Sequence, residues 1–157
     1  MAVKTIITGA GHPILRARAK RIAAFGKETE KLVQDLLDTV TAAKGAGLAA
    51  PQIGVSQSVC IAKIGEIFVP LLNPEILWRD TSEVPGEEGC LSLPDVWLFV
   101  PRAAAIIVRY LDEKKHEQEK KLMGFDARIV QHEVDHLLGK LIVDYPATSA
   151  PEPGEAL

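Results

Sequence analysis

The 157-residue chain has no apolar run near the ~20 residues that a bilayer-crossing helix needs. Its first residues, MAVKTIITGAGHPILR, also lack the continuous apolar core of a secretory signal. There is no internal repeat and no low-complexity stretch long enough to define the chain. Cysteine is scarce: Cys60 and Cys90 can form at most one bridge, which excludes a disulfide scaffold and fits a reducing compartment. A strong excess of either charge is missing too. Eighteen Lys and Arg face 21 Asp and Glu, the net charge is −3, and basic residues are scattered or interleaved with acidic ones. No nucleic-acid footprint stands out from that balance. The expected setting is the cytoplasm, with no membrane as partner and no direct nucleic-acid site evident.

What is present is globular. Hydrophobic residues make up 47%, charged residues 25%, and mean hydropathy is +0.10, values far from those of disordered chains. The length suits one domain with its own core.

Over residues 27–43, Leu32, Val33, Leu36, Leu37 and Val40 form one apolar stripe at helical spacing. Lys44-Gly45-Ala46-Gly47 then stops the helix and opens a loop, LAAPQIG. Residues 58–78 change to short β-rich pieces, SVCIAKI, EIFVPLL and PEILWR, separated by Gly65, Pro70 and Pro74. The polar residues 80–89, with Pro85 and Gly86, read as a loop leading to Cys90. Residues 105–111 read as a strand, and DEKKHEQEKK as a solvated turn entering another. Residues 125–138 return to helical spacing through Phe125, Ile129, Val130, Val134, Leu137 and Leu138, with Gly139 as the stop. The Pro-rich residues 146–157 are expected to form a flexible tail. The fold class that fits is α+β: antiparallel sheets packed around a central helix, with a further helix near the N-terminus.

That central helix carries His132-Glu133-Val134-Asp135-His136, an HExxH pattern. Histidines four apart on a helix differ by about 40° of rotation and one turn of rise, so both imidazoles can reach one metal ion. Glu133 points about 100° away, which suits a general base beside a metal site rather than a ligand. Two ligands need a third, and the candidates are Cys90, Cys60, His12, His116 and several carboxylates. His12 and His116 lie in segments that read as solvated. Cys60 lies between Val59 and Ile61 and reads as a small core residue.

Three segments together resemble the peptide deformylase family: Gly45-Ala46-Gly47-Leu48-Ala49-Ala50-Pro51-Gln52, Glu88-Gly89-Cys90-Leu91-Ser92, and Gln131-His132-Glu133-Val134-Asp135-His136. Similar residues occur between and around them, at His12-Pro13-Ile14-Leu15-Arg16, Leu72-Asn73-Pro74 and Gly124-Phe125-Asp126-Ala127-Arg128. The resemblance implies one divalent ion, ferrous iron, held by Cys90, His132 and His136, where zinc, nickel or cobalt would also be accepted. It implies removal of the N-formyl group from the initiator methionine of new polypeptides, releasing formate. Glu133 would then take a proton from the ion-activated water and pass it to the departing nitrogen. The Gln52 amide and the Leu91 backbone N–H would stabilise the oxyanion.

Further site expectations come with that reading. Gly45 and Gly47 would let an extended substrate pass close to the backbone. Phe125 and Ile129 would wall the methionine pocket. Glu88 would pair with Arg102 and so fix Cys90. Residues 1–145 would be the catalytic domain, acting on N-formylmethionyl nascent chains, with docking near the ribosomal exit tunnel as a further expectation. Many bacterial relatives continue into a C-terminal helix, which the prolines of PATSAPEPGEAL preclude here. The charged turn lacks the usual glycine. A zincin-type protease, its third ligand drawn from Asp144, Glu152 or Glu155, and a non-enzymatic metal protein are the competing readings.

Overall fold

The computed structural model describes residues 2–146, so the tail expected at 146–157 lies outside the described residues but for Pro146. The fold is α+β with antiparallel sheets and a C-terminal helix. A short helix α1 (Pro13–Arg16) is followed by α2 (Lys27–Ala42). Seven strands come next: β1 (Gly47–Ala49), β2 (Val59–Ile64), β3 (Ile67–Arg79), β4 (Glu83–Cys90), β5 (Leu93–Ala103), β6 (Ala105–Leu111) and β7 (Glu117–Met123). They lead into α3 (Gly124–Leu137). One sheet has the order β1-β2-β3-β6-β7, and β4 and β5 form a separate two-stranded sheet; all pairings are antiparallel.

Strand alternation explains how the large sheet serves two helices at once. On β2, Cys60 and Ala62 join the core that packs against α3, whereas Val59 and Ile61 join the core under α2. Cys60 is fully buried there, as a core cysteine should be. The stripe on α2 buries Leu32, Val33, Leu36 and Val40, and Glu28 and Glu30 in its first turn suit the positive end of the helix dipole. A third, smaller core joins Leu93 and Val100 of β5 to Leu141 and Ile142.

Two expectations are corrected. EIFVPLL and PEILWR are one strand, β3, not two. The strand passes its interruption through Asn73 at φ +50 and a shift of register between Leu72 and Glu75. The Asn73 side chain there accepts from Ile22 N at 2.8 Å and donates to Ile22 O at 2.9 Å. Pro70 is tolerated because β6 pairs with β3 only from Leu72 onward.

The segment expected as a loop over 80–89 is mostly strand β4. Its order comes from side chains distant in sequence. Arg128 donates to Val84 O at 2.6 Å and to Val100 O at 2.9 Å, tying both strands of the small sheet to α3. Gly86 is required beneath it, since a Cβ at that position would lie 2.6 Å from Arg128 Cζ. In the β6–β7 turn, Lys115 takes the left-handed φ of +67 that a glycine would otherwise supply, and Asp112 accepts from the Lys114 and His116 N–H groups. No helix among the described residues is long and apolar enough to cross a membrane.

Candidate active site

Glu88 and Cys90 are two apart on β4, so both side chains leave the strand on the same face. That face looks onto α3, where His132 and His136 are one turn apart. Cys90 Sγ lies 3.4 Å from His136 Nε2, which lies 3.2 Å from His132 Nε2, and all three ligand atoms fall within 4.8 Å of one another. An ion with tetrahedral bonds of about 2.0–2.3 Å holds its ligand atoms roughly 3.3–3.6 Å apart, so the three donors fit such an ion. The other candidates are elsewhere. His12 is exposed and caps α1, accepting from Ile14 N at 3.3 Å, and His116 is exposed beside Asp112. Cys60 is buried in the core. Among the described residues, Cys90, His132 and His136 form the cluster able to hold a metal.

Behind the cluster lies a buried ion-pair network centred on Glu88. Arg102 donates to Glu88 from Nε and NH2, both at 2.8 Å, and Arg128 NH1 donates to Glu88 Oε2 at 2.7 Å. Arg102 NH1 also reaches Asp135 Oδ2 at 2.5 Å and the Tyr145 hydroxyl at 3.0 Å. Tyr145 in turn donates to Asp135 at 2.5 Å. Burial alone would raise the Glu88 pKa, but Arg102 and His132 outweigh it and hold the carboxyl well below the usual carboxylate range. The Glu88–Arg102 pair is thus present, but its target differs from expectation. Glu88 Oε1 takes the Nδ1–H of His132 at 2.8 Å, so the carboxylate orients a histidine rather than Cys90. The reason is reach: Cys90 shares its strand, whereas His132 faces it from the helix. A histidine donating through Nδ1 keeps Nε2 free for an ion. Burial disfavours charge on His132, yet Cys90 and Glu88 overcome it and raise the group to about 10. Positive charge is therefore favoured at this spot, and a bound cation would supply it in place of the proton.

Glu133 sits on the other side of the cluster. It is buried, and its Oε1 has no hydrogen-bond partner among the described residues. Burial pushes it up to about 7, with His132 opposing and Glu88 adding to the rise. The backbone of Gly47 presses on the carboxylate: a Cβ there would lie 2.5 Å from Glu133 Oε2. Gln52, on the 3-10 turn Ala50–Ile53, is buried and held at both ends of its amide. Oε1 accepts from Ala49 N at 2.9 Å, while Nε2 donates to Ser92 Oγ at 3.0 Å and lies 3.9 Å from Cys90 Sγ.

Gln52, Glu88, Cys90, His132 and Glu133 line one cavity of about 450 Å³, whereas His136 is buried and outside its lining. Gly45 and Gly47 form one edge, on or beside β1, which is itself the edge strand of the large sheet. Gln52, Cys90, Leu91, His132 and Glu133 line its reacting end. Phe125 and Ile129 both line it but differ in depth: Ile129 is 7% exposed, whereas Phe125 is 60% exposed at the rim. Of the residues singled out from sequence, Gly45, Gly47, Gln52, Glu88, Cys90, Leu91, Phe125, Ile129, His132 and Glu133 line the cavity, while Arg102 stands behind it. Sequence reasoning missed Arg128, Asp135, Tyr145, Ser92 and the rim residue Trp97. Asp135 carried a spacing signal, three residues beyond His132 and hence on a neighbouring face of the helix, and Ser92 and Arg128 stood in segments that resemble the family without a role being read for them.

Residues 4–151 match the family model described as polypeptide deformylase. A peptide deformylase of Thermotoga petrophila is 42% identical over 134 residues, covering 85% of this chain and 82% of that protein. The crystal structure of peptide deformylase from Thermotoga maritima superposes with a TM-score of 0.91 at 37% identity, covering 94% of this chain and all of that one. A class I type b peptide deformylase from Acinetobacter baumannii, bound to Met-Ala-Ser, superposes at 0.88 with 35% identity, covering 92% and 99% of the two chains.

Proposed function

This chain belongs to the polypeptide deformylase family, and from that premise we propose that it removes the N-formyl group from the N-terminal methionine of newly made polypeptides, releasing formate. The observation that carries the reading is that Cys90, His132 and His136 cluster beside a Glu133 oxygen with no hydrogen-bond partner among the described residues, at the end of the cavity that Cys90, His132 and Glu133 line.

Cys90, His132 and His136 would hold a divalent ion, and α3, with its HExxH spacing, is then the metal helix around which the sheets are arranged. We assign ferrous iron, with zinc, nickel and cobalt as workable substitutes for a Cys and two His. When bound, the ion polarises the formyl carbonyl and lowers the pKa of a water in the site. Glu133 Oε1 takes the proton from that water and later delivers it to the departing nitrogen. A group with a pKa near 7 suits both halves of the task. The water oxygen bonds to the formyl carbon, the carbon–nitrogen bond breaks, and formate and a free amine result. Gln52 Nε2 and the Leu91 backbone N–H donate to the oxygen that gains charge. Glu88, clamped by Arg102 and Arg128, keeps His132 turned toward the cluster.

The peptide lies along β1, pairing with an edge strand through Gly45 and Gly47, which supports binding without regard to sequence. Ile129 forms the deep wall for the methionine side chain and Phe125 the outer one. Residues 1–145 are the catalytic domain; the setting is a cytosol of bacterial type, with access to nascent chains at the ribosome.

The test is formate release from formyl-Met-Ala-Ser by anaerobically iron-loaded, and separately nickel-loaded, protein. Turnover with either ion is expected. A fully loaded protein that releases no formate overturns the reading, as does peptide-bond cleavage that survives Cys90→Ala.

A further inference from the structure

Charge is unevenly distributed along this chain. Residues 1–27 contain six cations, Lys4, Arg16, Arg18, Lys20, Arg21 and Lys27, and no acidic residue. All 21 acids fall in the remainder, against twelve cations, so a segment of +6 is concealed within a total of −3.

The fold gathers four of those cations on one surface. The strap of residues 17–26 between α1 and α2 is fixed by its backbone: Ala19 N donates to Leu137 O at 2.9 Å, Lys20 N to Ser56 O at 3.1 Å, and Ser58 N to Lys20 O at 2.7 Å. Ala19, Ile22 and Phe25 pack onto the cores. Arg18, Lys20, Arg21 and, at the start of α2, Lys27 consequently stay exposed. Lys20, Arg21 and Lys27 line one groove, and Arg18 and Arg21 line the next, so Arg21 joins them. Arg16 is engaged by Asp144 and Lys4 lies 4.0 Å from Asp35, but the other four have no ion pair among the described residues. The acids lining the two grooves are Glu28 and Glu75, the latter 3.0 Å from Arg109.

We propose that this strap is a docking surface for the phosphates of RNA. Guanidinium forks and ammonium groups held on a fixed backbone are the donors that phosphate oxygens take. A bilayer is a poorer match, because it rewards apolar wedges among the cations. Among the described residues no exposed large hydrophobic lies in the strap itself, where Ile22 is buried and Phe25 half-buried, and Leu138, 45% exposed, is the one such residue lining either groove. The choice of RNA also rests on the proposed function, since an enzyme that acts on nascent chains meets them on a particle built largely of RNA. The placement suits simultaneous use. The strap is bonded to the C-terminal end of α3 at Leu137, whereas the catalytic cavity is lined by Phe125, Arg128, Ile129, His132 and Glu133 of the same helix.

The experiment is anisotropy of a fluorescent RNA hairpin titrated with metal-loaded full-length protein at rising salt, where four phosphate contacts give a slope of log K against log salt of about −3. Arg18→Glu/Arg21→Glu is expected to weaken binding by about tenfold or more at low salt, while Lys120→Glu/Lys121→Glu on β7, an equal charge change elsewhere, shifts it by no more than about twofold. Neither Arg18 nor Arg21 makes a side-chain hydrogen bond among the described residues, and formate release from a free formyl-Met tripeptide should be unaltered in both variants. Equal losses in the two double variants overturn the proposal, as does absence of RNA binding at low salt. Tighter binding to phosphatidylglycerol vesicles or to polyglutamate than to the hairpin also overturns it. Because no formylated substrate enters the binding assay, failure of the deformylase reading would register only in formate release.

Discussion

The two sides of the Cys90/His132/His136 cluster hold one buried glutamate each, in opposite surroundings. Toward the small sheet, Glu88 accepts from Arg102, Arg128 and His132, and its carboxyl stays ionised far into acid. Toward β1, Glu133 has a buried oxygen with no partner among the described residues, and burial pushes its pKa up to about 7. Two guanidiniums make the difference. A carboxylate with every lone pair engaged is a fixed charge that can orient a neighbour but cannot exchange a proton. One left desolvated and unpaired exchanges its proton near neutrality. The same residue type thus serves as a strut on one side and a reagent on the other.

The sharpest test of that division is Glu133→Gln, which keeps shape and removes proton exchange. Turnover should fall on the order of 10³-fold, the usual scale for a lost general base, with metal content by elemental analysis unchanged. Residual activity within tenfold of the parent, or loss of the ion, would dissolve the distinction between the two sides. Next in size is Gln52→Ala on Glu133's side, expected to lower kcat on the order of 10²-fold through loss of an oxyanion donor while KM stays nearly level. A rise in KM with kcat preserved would show that Gln52 only binds.

Glu88→Gln probes the strut. It replaces the charged acceptor on His132 Nδ1 by a neutral one, leaves Arg128 without its ion-pair partner and leaves Arg102 with Asp135 alone. Metal affinity should drop about 10–100-fold, measured by competition with a chelator, and saturating metal should restore most of the turnover. If excess metal restores nothing, Glu88 takes part in the reaction and the comparison fails.

The site and the fold were legible to different degrees, for physical reasons. Cys90, His132 and His136 belong to residue types that are scarce in this chain, and the histidine spacing is local, so their meeting could be inferred without knowing the sheet. Arg128 and Tyr145 offered no such signal. Their importance depends on α3 crossing the small sheet at Glu88, a relation set by tertiary packing. The same holds for the elements. The α2 stripe of Leu32, Val33, Leu36 and Val40 is encoded within the helix that uses it. β4 reads as a loop because its strand character is imposed by β5 and by Arg128, forty residues from Glu88. In β3 the prolines suggested two ends, whereas Asn73 absorbs the irregularity within one strand.

Asp35 on α2 supplies the mildest test, since it is paired as Glu88 is but lies away from the cavity. It accepts from Ala2 N at 2.8 Å and from Lys31 Nζ at 2.7 Å, tethering the N-terminal segment to α2 with help from Thr39, whose hydroxyl accepts from Lys4 N at 2.9 Å. Burial pushes its pKa up, but Lys31 and the Ala2 N–H more than offset that and hold it well below the usual carboxylate range. A group whose folded pKa is depressed stabilises the fold above its unfolded value, near 3.9, and loses that contribution as pH falls toward the folded one. Lys31 is 59% exposed, so solvent screens much of the pair. Asp35→Asn should therefore lower Tm by only about 2–4 °C at pH 7, and the gap between variant and parent should close as pH falls below about 4. Formate release at 25 °C should be unaltered. If it fell with Tm, pairing alone would affect turnover from a distance, and the roles assigned to Glu88 and Glu133 would no longer follow from their contacts with the cluster.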